Sequence, residues 1–217
     1  LQELHRPGPF DFGDRAFVGT LREMGGEMAQ DRAVWHIPPI DTLFVQRKIS
    51  GTALLGARAV GAGTVIVVEP NVARGQLALE LGATHWINPK ETPDTLAKIK
   101  ELVGGVNYAL DTTGIPPVMA AAVEALLPRG VLGLLGVPPP EATVPANMMS
   151  MLIRGITVRY IIEGDSDPQT FIPRMTGWYK AGKFPFDRLT RKFPFEQINE
   201  AAHAAESGQV IKPILTF

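Results

Sequence analysis

The sequence predicts an α/β protein: a doubly wound parallel sheet, preceded by an irregular N-terminal arm and closed by a C-terminal helix–strand segment. Three observations carry that expectation. From Gly51 onward, short apolar or β-branched runs take turns with helical stretches, the pattern of strands joined by crossover helices. The run Thr64-Val65-Ile66-Val67-Val68 shows no polar alternation, as befits a strand covered on both faces. The 22 glycines and 19 prolines among 217 residues supply punctuation for many short connections.

The first 50 residues read differently. Pro7, Gly8, Pro9, Gly13, Gly25, Gly26, Pro38 and Pro39 interrupt them, and their charges follow neither a helical nor a strand period. Short strands are expected at 15–19 and 42–46. Residues 51–62 are small and apolar, suiting a helix pressed closely onto a sheet. After the strand at 64–68, Asn71 caps a helix running to Leu81, with Leu77, Ala78 and Leu81 inward and Gly82 as its stop. A strand follows at 84–88, and Thr92-Pro93-Asp94 opens the next helix, with Thr92 as the capping hydroxyl and Pro93 in the first turn. The alternation continues with a strand at 107–111, a helix at 116–127 and a strand at 131–137 interrupted by Gly133 and Gly136. A short helix at 147–153, a β-branched strand at 156–162 and a helix at 168–181 between Asp167 and Gly182 come next. The last helix spans 195–206, with Gly208 beyond it, and the last strand spans 210–217.

Composition narrows the function classes. Hydrophobic residues at 45% and charged ones at 20% are ordinary for a globular chain. Lys and Arg total 21 against 22 Asp and Glu, a net charge of −1, so no basic field exists to condense on nucleic acid or an anionic membrane. With no cysteine, disulfides, thiol nucleophiles and thiolate metal sites are excluded. No apolar run approaches the roughly 18–20 residues of a spanning helix, and no basic-then-apolar leader opens the chain. The expectation is a cytoplasmic protein.

Glu69 ends the apolar strand. In a dinucleotide-binding sheet, a carboxylate at that place accepts hydrogen bonds from the adenosine ribose and repels a 2′-phosphate, favouring NAD over NADP; the alternative is a solvated strand-end carboxylate. Arg74 either lies over the same ribose or is a surface cation, and an arginine there also suits NADP. The strand ends Asp111-Thr112-Thr113-Gly114 and Leu135-Gly136-Val137-Pro138 would line a crevice at the carboxyl edge of the sheet, or Gly136 and Pro138-Pro139-Pro140 simply make a turn. The place of a G-x-G-x-x-G phosphate loop is held by Val45-Gln46-Arg47-Lys48-Ile49-Ser50, which contains no glycine. His5, His36, His85 and His203 lack metal-ligand spacing, and no G-x-S-x-G elbow occurs. Met148, Met149 and Met151 read as core or interface filler.

From Ala53 to Phe217 the chain resembles the C-terminal part of zinc-type medium-chain alcohol dehydrogenases, above all the aryl- or benzyl-alcohol branch. The resemblance rests on motifs in family order. These are Gly56-Ala57-Arg58 with Gly61-Ala62, Val67-Val68-Glu69-Pro70-Asn71, Glu80-Leu81-Gly82-Ala83-Thr84-His85, and Asp111-Thr112-Thr113-Gly114. Leu135-Gly136-Val137-Pro138, Glu163-Gly164-Asp165-Ser166, Phe193-Pro194-Phe195-Glu196-Gln197-Ile198-Asn199-Glu200 and Ser207-Gly208-Gln209-Val210-Ile211-Lys212-Pro213 complete them. It implies a Rossmann-like cofactor domain at 51–163, a segment at 164–217 that returns to the catalytic domain, and an atypical segment at 1–50 in which a GroES-like catalytic domain is not recognisable. It implies an NAD-dependent hydride transfer between an alcohol and its aldehyde or ketone, with zinc polarising the oxygen.

Carried across by resemblance, Glu69 is the ribose ligand, Arg74 covers the adenosine, and Thr113 stands beside the adenine. Gly136 and Val137 meet the nicotinamide, Ile162 lies near the carboxamide contact, and Lys212 reaches the pyrophosphate. The same resemblance implies a homodimer through a sheet edge near Ile156 and Ile162, and a small alcohol or aldehyde as substrate. No catalytic or zinc-ligating residue carries over, since the family's cysteine ligands have no counterpart. Matching text starts near Gly51, as in a truncated dehydrogenase joined to an unrelated or frame-shifted segment. Impaired or absent turnover is therefore expected. Other readings are a non-catalytic Rossmann remnant and a zinc-free quinone-reductase-like enzyme, the latter opposed by Glu69. An S-adenosylmethionine methyltransferase finds no support beyond Asp111.

Overall fold

A computed structural model describes residues 42–46, 50–143 and 146–217. The strand expected at 15–19 and the loop 47–49 lie outside them. Six strands form one parallel sheet: β1 (Thr42–Gln46), β2 (Thr64–Val68), β3 (His85–Ile87), β4 (Val106–Asp111), β5 (Leu126–Leu134) and β6 (Thr157–Tyr160). Their spatial order is β3-β2-β1-β4-β5-β6. The chain thus builds outward from β1 on one side, then crosses back to build outward on the other, as doubly wound sheets do.

The alternation of side chains along β2 explains why its sequence is apolar throughout. Val65 and Val67 enter one core with Leu54 and Leu55 of α1 (Ser50–Ala59) and Ala78 of α2 (Val72–Glu80). Ile66 and Val68 enter the other, with Ile99 of α3 (Thr95–Val103) and Met119, Ala122 and Val123 of α4 (Pro116–Ala125). A strand covered by helices on both faces has no solvent side on which to place a polar residue.

The helix ends follow local chemistry. Asn71 Oδ1 accepts from Arg74 N at 3.1 Å, capping α2 as expected. The cap of α3 is Asp94, whose Oδ1 accepts from Ala97 N at 2.8 Å, rather than Thr92. A carboxylate at that place also suits the positive end of the helix. Gly104 closes α3 in the left-handed conformation. Asn147 caps α5 (Met148–Arg154) and Asp167 caps α6 (Pro168–Lys180) through Ser150 N and Gln169 N.

The connection from α4 to β5 departs from expectation. The helix stops at Ala125 and β5 begins at Leu126 with no loop between them, although a helix to 127 and a strand from 131 were expected. Pro128 cannot continue a helix comfortably, and Arg129 adopts a positive φ of 65°. The register shifts there, so that Val106 faces Leu126 while Tyr108 faces Val131. Arg154 of α5 satisfies the exposed helix end, donating from Nη1 to the carbonyls of Val123 and Leu126 at 3.2 and 3.0 Å. At its other end β5 stops at Leu134, because Leu135 N and Gly136 N both turn to the Asp111 carbonyl.

Beyond β6, the two expected helices and the last strand are accompanied by a further strand. β7 (Thr190–Pro194) pairs in parallel with β8 (Lys212–Thr216) as a separate sheet. The helix expected from 195 begins as a 3-10 turn and becomes α7 (Ile198–Glu206). Phe193, Ala201, Ala204 and Val210 make the small core under this unit. An ion pair between Arg188 and Glu80 ties it to α2.

Burial pushes the Tyr108 phenol above its ordinary range. The folded chain therefore holds the proton more tightly than the unfolded chain. Tyr108 leaves stability untouched below the usual tyrosine pKa of about 10 and lowers it as pH rises above that value. In urea titrations above about pH 10, the wild-type midpoint should fall more steeply than that of Tyr108→Phe. Parallel pH profiles would refute this assignment.

Candidate functional site

Parallel pairing sets the carboxyl ends of the strands in one row. Val68 pairs with Gln46, Gln46 with Asp111, Asp111 with Leu134, and Leu134 with Tyr160. The residues that follow these positions emerge along a single edge of the sheet. The strand order reverses between β1 and β4, and at such a switch point the flanking connections part to leave a crevice.

Glu69 comes directly after β2 and is fully buried, at 0% exposure. Its Oε1 accepts from Asn71 N at 2.9 Å and from Arg74 Nη2 at 3.0 Å. Among the described residues, its buried Oε2 has no partner, and neither has the buried Nε of Arg74. The backbone of Glu69 is held from the β3 side. Its N–H donates to the Ile87 carbonyl at 3.1 Å, and its carbonyl accepts from the Trp86 indole Nε1 at 2.9 Å. The carboxylate is therefore fixed in place, with Oε2 buried and unmatched among the described residues.

The turn after β4 is built around the second buried carboxylate of this edge. Asp111 is 1% exposed. Its Oδ1 accepts from Thr113 N at 3.1 Å and Thr113 Oγ1 at 2.7 Å, and its Oδ2 accepts from Gly114 N at 2.9 Å. The Thr113 hydroxyl also accepts from Ile115 N at 2.9 Å. Gly136, after β5, packs onto this turn so closely that a Cβ there would overlap Gly114 N and lie 2.6 Å from Thr113 N and C. Glycine at 136 is a requirement of space.

The remaining candidates divide into two groups. Val137 and Ile162 follow β5 and β6 on the same edge and stand open to solvent, at 91% and 75% exposure. Thr113, Gly136, Val137 and Ile162 thus share the carboxyl edge with Glu69. Lys212 is exposed and opens β8 in the separate sheet. Its neighbour Ile211 lines a cavity of about 10 Å³ with Arg74, Leu77, Leu81 and Leu189, room for about one water. Gly208 also lies against Arg74, since a Cβ there would come 3.3 Å from Nη1. The C-terminal segment therefore reaches the Arg74 side of the site.

Two residues at this edge were not singled out individually from sequence. By sequence Asp111 belongs to a strand end, and an aspartate two residues before a threonine and three before a glycine is a turn-forming signal. Trp86 stands in a strand by its sequence, and nothing local marks its indole as a donor to Glu69. Among the described residues, no group of three or more His, Cys, Asp or Glu side chains converges to hold a metal ion.

Gly136→Ala should force the turns apart at a cost of about 1–3 kcal/mol. That corresponds to a melting point lower by roughly 2–12 °C for a chain of this size. Differential scanning calorimetry reads this directly, and an unchanged melting point would mean the two turns do not pack as described.

Comparison with known proteins places these features among relatives. A family model described as zinc-binding dehydrogenase matches residues 49–177. Geraniol dehydrogenase of Castellaniella defragrans is 54% identical over 167 residues, which is 76% of this chain and 45% of that protein. An alcohol dehydrogenase zinc-binding domain protein from Burkholderia ambifaria superposes with a TM-score of 0.80 at 38% identity, over 94% of this chain and 54% of that one. Benzyl alcohol dehydrogenase from Acinetobacter calcoaceticus gives 0.78 at 34% identity, over 91% and 55%. The chain spans about half the length of the relatives it matches.

Proposed function

Because the chain belongs to the zinc-binding dehydrogenase family, we propose that it holds the adenosine end of NAD on Glu69. In doing so it forms the cofactor-binding part of an oxidoreductase acting on an alcohol and its aldehyde or ketone. In this reading, residues 51–163 make the dinucleotide-binding unit, 164–217 return toward a catalytic domain, and 1–50 are an atypical segment. The observation that carries the proposal is the buried Glu69 carboxylate with Oε2 unpartnered. A buried acceptor left unmatched costs on the order of 1–3 kcal/mol, and a ribose hydroxyl donating to it would remove that penalty.

The neighbouring residues suit the same ligand. Arg74 is committed to Glu69 through Nη2, which leaves its charge largely neutralised rather than free for a 2′-phosphate. NAD is favoured over NADP on that basis. Thr113, Gly136 and Val137 would flank the adenine and nicotinamide rings along the edge, Ile162 would meet the carboxamide, and Lys212 would reach the pyrophosphate. NAD, when bound, supplies the hydride acceptor. The described side chains do not fit a zinc site, and a chain with no cysteine lacks the family's usual ligands. Zinc is given no part in what this chain does, and binding with little or no turnover is proposed for the chain alone.

Among the described residues, no helix is long and apolar enough to cross a membrane; a cytoplasmic location is proposed. A homodimer is proposed through the β6 edge. Tyr160 is 66% exposed there, and Leu152 and Ile153 of α5, the helix that precedes β6, are 74% and 78% exposed. Unpaired strand edges with apolar neighbours favour such association. Sedimentation velocity should show a dimer for the wild-type chain and a shift toward monomer for Tyr160→Lys. A wild-type monomer at all concentrations would remove the dimer.

Calorimetric titration with NAD should show saturable binding, weaker binding of NADP, and a loss of about 1–3 kcal/mol for NAD in Glu69→Ala. A parallel assay should show little alcohol-dependent production of NADH. Absence of NAD binding, or an unchanged affinity in Glu69→Ala, would overturn the role given to Glu69. Brisk turnover would overturn the claim of impaired activity alone.

A further inference from the structure

We infer that Trp86 is a positioning residue for the adenosine end of the cofactor, acting through the Glu69 backbone in a slot made by Gly75. The inference rests on the reading of Glu69 as the ribose ligand. At the end of β2, the Glu69 N–H still finds a ladder partner in the Ile87 carbonyl, but its carbonyl is satisfied by a side chain, the Trp86 indole at 2.9 Å. Trp86 sits opposite Val67 in the parallel pairing of β2 with β3, so its ring passes along the sheet edge to reach the residue two positions on.

Gly75 makes this possible. It is a buried interior position of α2, where glycine is less favourable than alanine. A Cβ at 75 would overlap Trp86 Cε2, Nε1 and Cδ2. Any side chain there would push the indole off the strand end. The unfavourable glycine is thus explained by what it admits: a ring packed against the helix at this position, with its N–H donating to the Glu69 carbonyl.

The consequence falls on the carboxylate. Glu69 is gripped by its N–H, its carbonyl and its Oε1, while Oε2 alone is unpartnered. Releasing the carbonyl lets the strand end rotate and spreads the direction of Oε2. Affinity for ribose hydroxyls should then fall, and affinity for a ligand without them should not.

The test measures binding of ADP and of 2′,3′-dideoxyadenosine diphosphate to the wild-type chain, Trp86→Phe, Gly75→Ala and Glu69→Ala by calorimetry, with melting curves confirming folding. Trp86→Phe keeps an aromatic ring and removes the donor; Gly75→Ala keeps the donor and displaces it. Each should bind ADP about five- to tenfold more weakly and bind the dideoxy analogue as the wild type does. Should Trp86→Phe fail to fold, Gly75→Ala decides. Unchanged ADP affinity in the folded variants, or an equal loss for both ligands, would overturn the inference while Glu69→Ala still shows the ribose site at work. Failure of the wild type to bind ADP, or wild-type affinity in Glu69→Ala, would overturn the ribose reading and the Trp86 role with it.

Discussion

Parallel strands cannot be joined by tight turns, so each must be followed by a crossover that begins again at the far edge of the sheet. In this chain that constraint places everything of functional interest. Val68, Gln46, Asp111, Leu134 and Tyr160 fall in one hydrogen-bonded row. Whatever follows them must leave the sheet at the same edge. The two apolar cores on the faces of β2 and β4 hold that row in register, because slipping one strand by a residue would exchange the contents of the two faces. Stability and site geometry therefore share one cause.

The alternation of strands and helices was legible because burial on both faces removes polar residues from a strand and leaves nothing ambiguous about it. The strands 64–68 and 107–111 were found to within a residue. Misreadings gathered where tertiary contacts override local signals. At the α4–β5 junction Pro128 and Gly130 suggest a loop, yet they lie inside β5, and Arg154, distant in sequence, caps the helix carbonyls. The strand β7 has charged and exposed residues such as Arg191 and Lys192, and only its pairing with β8 makes it a strand. The cap of α3 was placed at Thr92 because threonine before proline is a good opening, yet Asp94 supplies the acceptor.

The site was legible in part, for a comparable reason. Residue type and position at a strand end are local facts, and they single out Glu69, Gly136 and Val137. Which donors surround Glu69 is not local. Asn71 and Arg74 lie within a turn of it and were in view, whereas Trp86 arrives from another strand and Gly208 from the far end of the chain. Sequence also left Arg74 open between a surface cation and a residue lying over the ribose. Its contact with Oε1 shows that its charge is directed into the carboxylate. The glycine-free stretch before α1 was equally plain in sequence, and residues 47–49 lie outside the described structure.

Two buried carboxylates on this edge look alike in sequence, each closing an apolar strand, yet their surroundings assign them opposite work. Asp111 receives Thr113 N, Thr113 Oγ1 and Gly114 N on its two oxygens. Burying an ionised group is tolerable only when its acceptors are matched, and a carboxylate so well matched has no need of a ligand. Its effect is to freeze a turn on which Gly136 can lie. Glu69 is buried more completely, but only one of its oxygens is matched. The rest of its compensation comes from the Arg74 guanidinium, which is itself left with an unmatched Nε. A charge pair kept dry with one unmatched atom on each member is unfavourable on its own. The unmatched Oε2 and Nε are what make this pair, rather than Asp111, the candidate contact for a polar ligand.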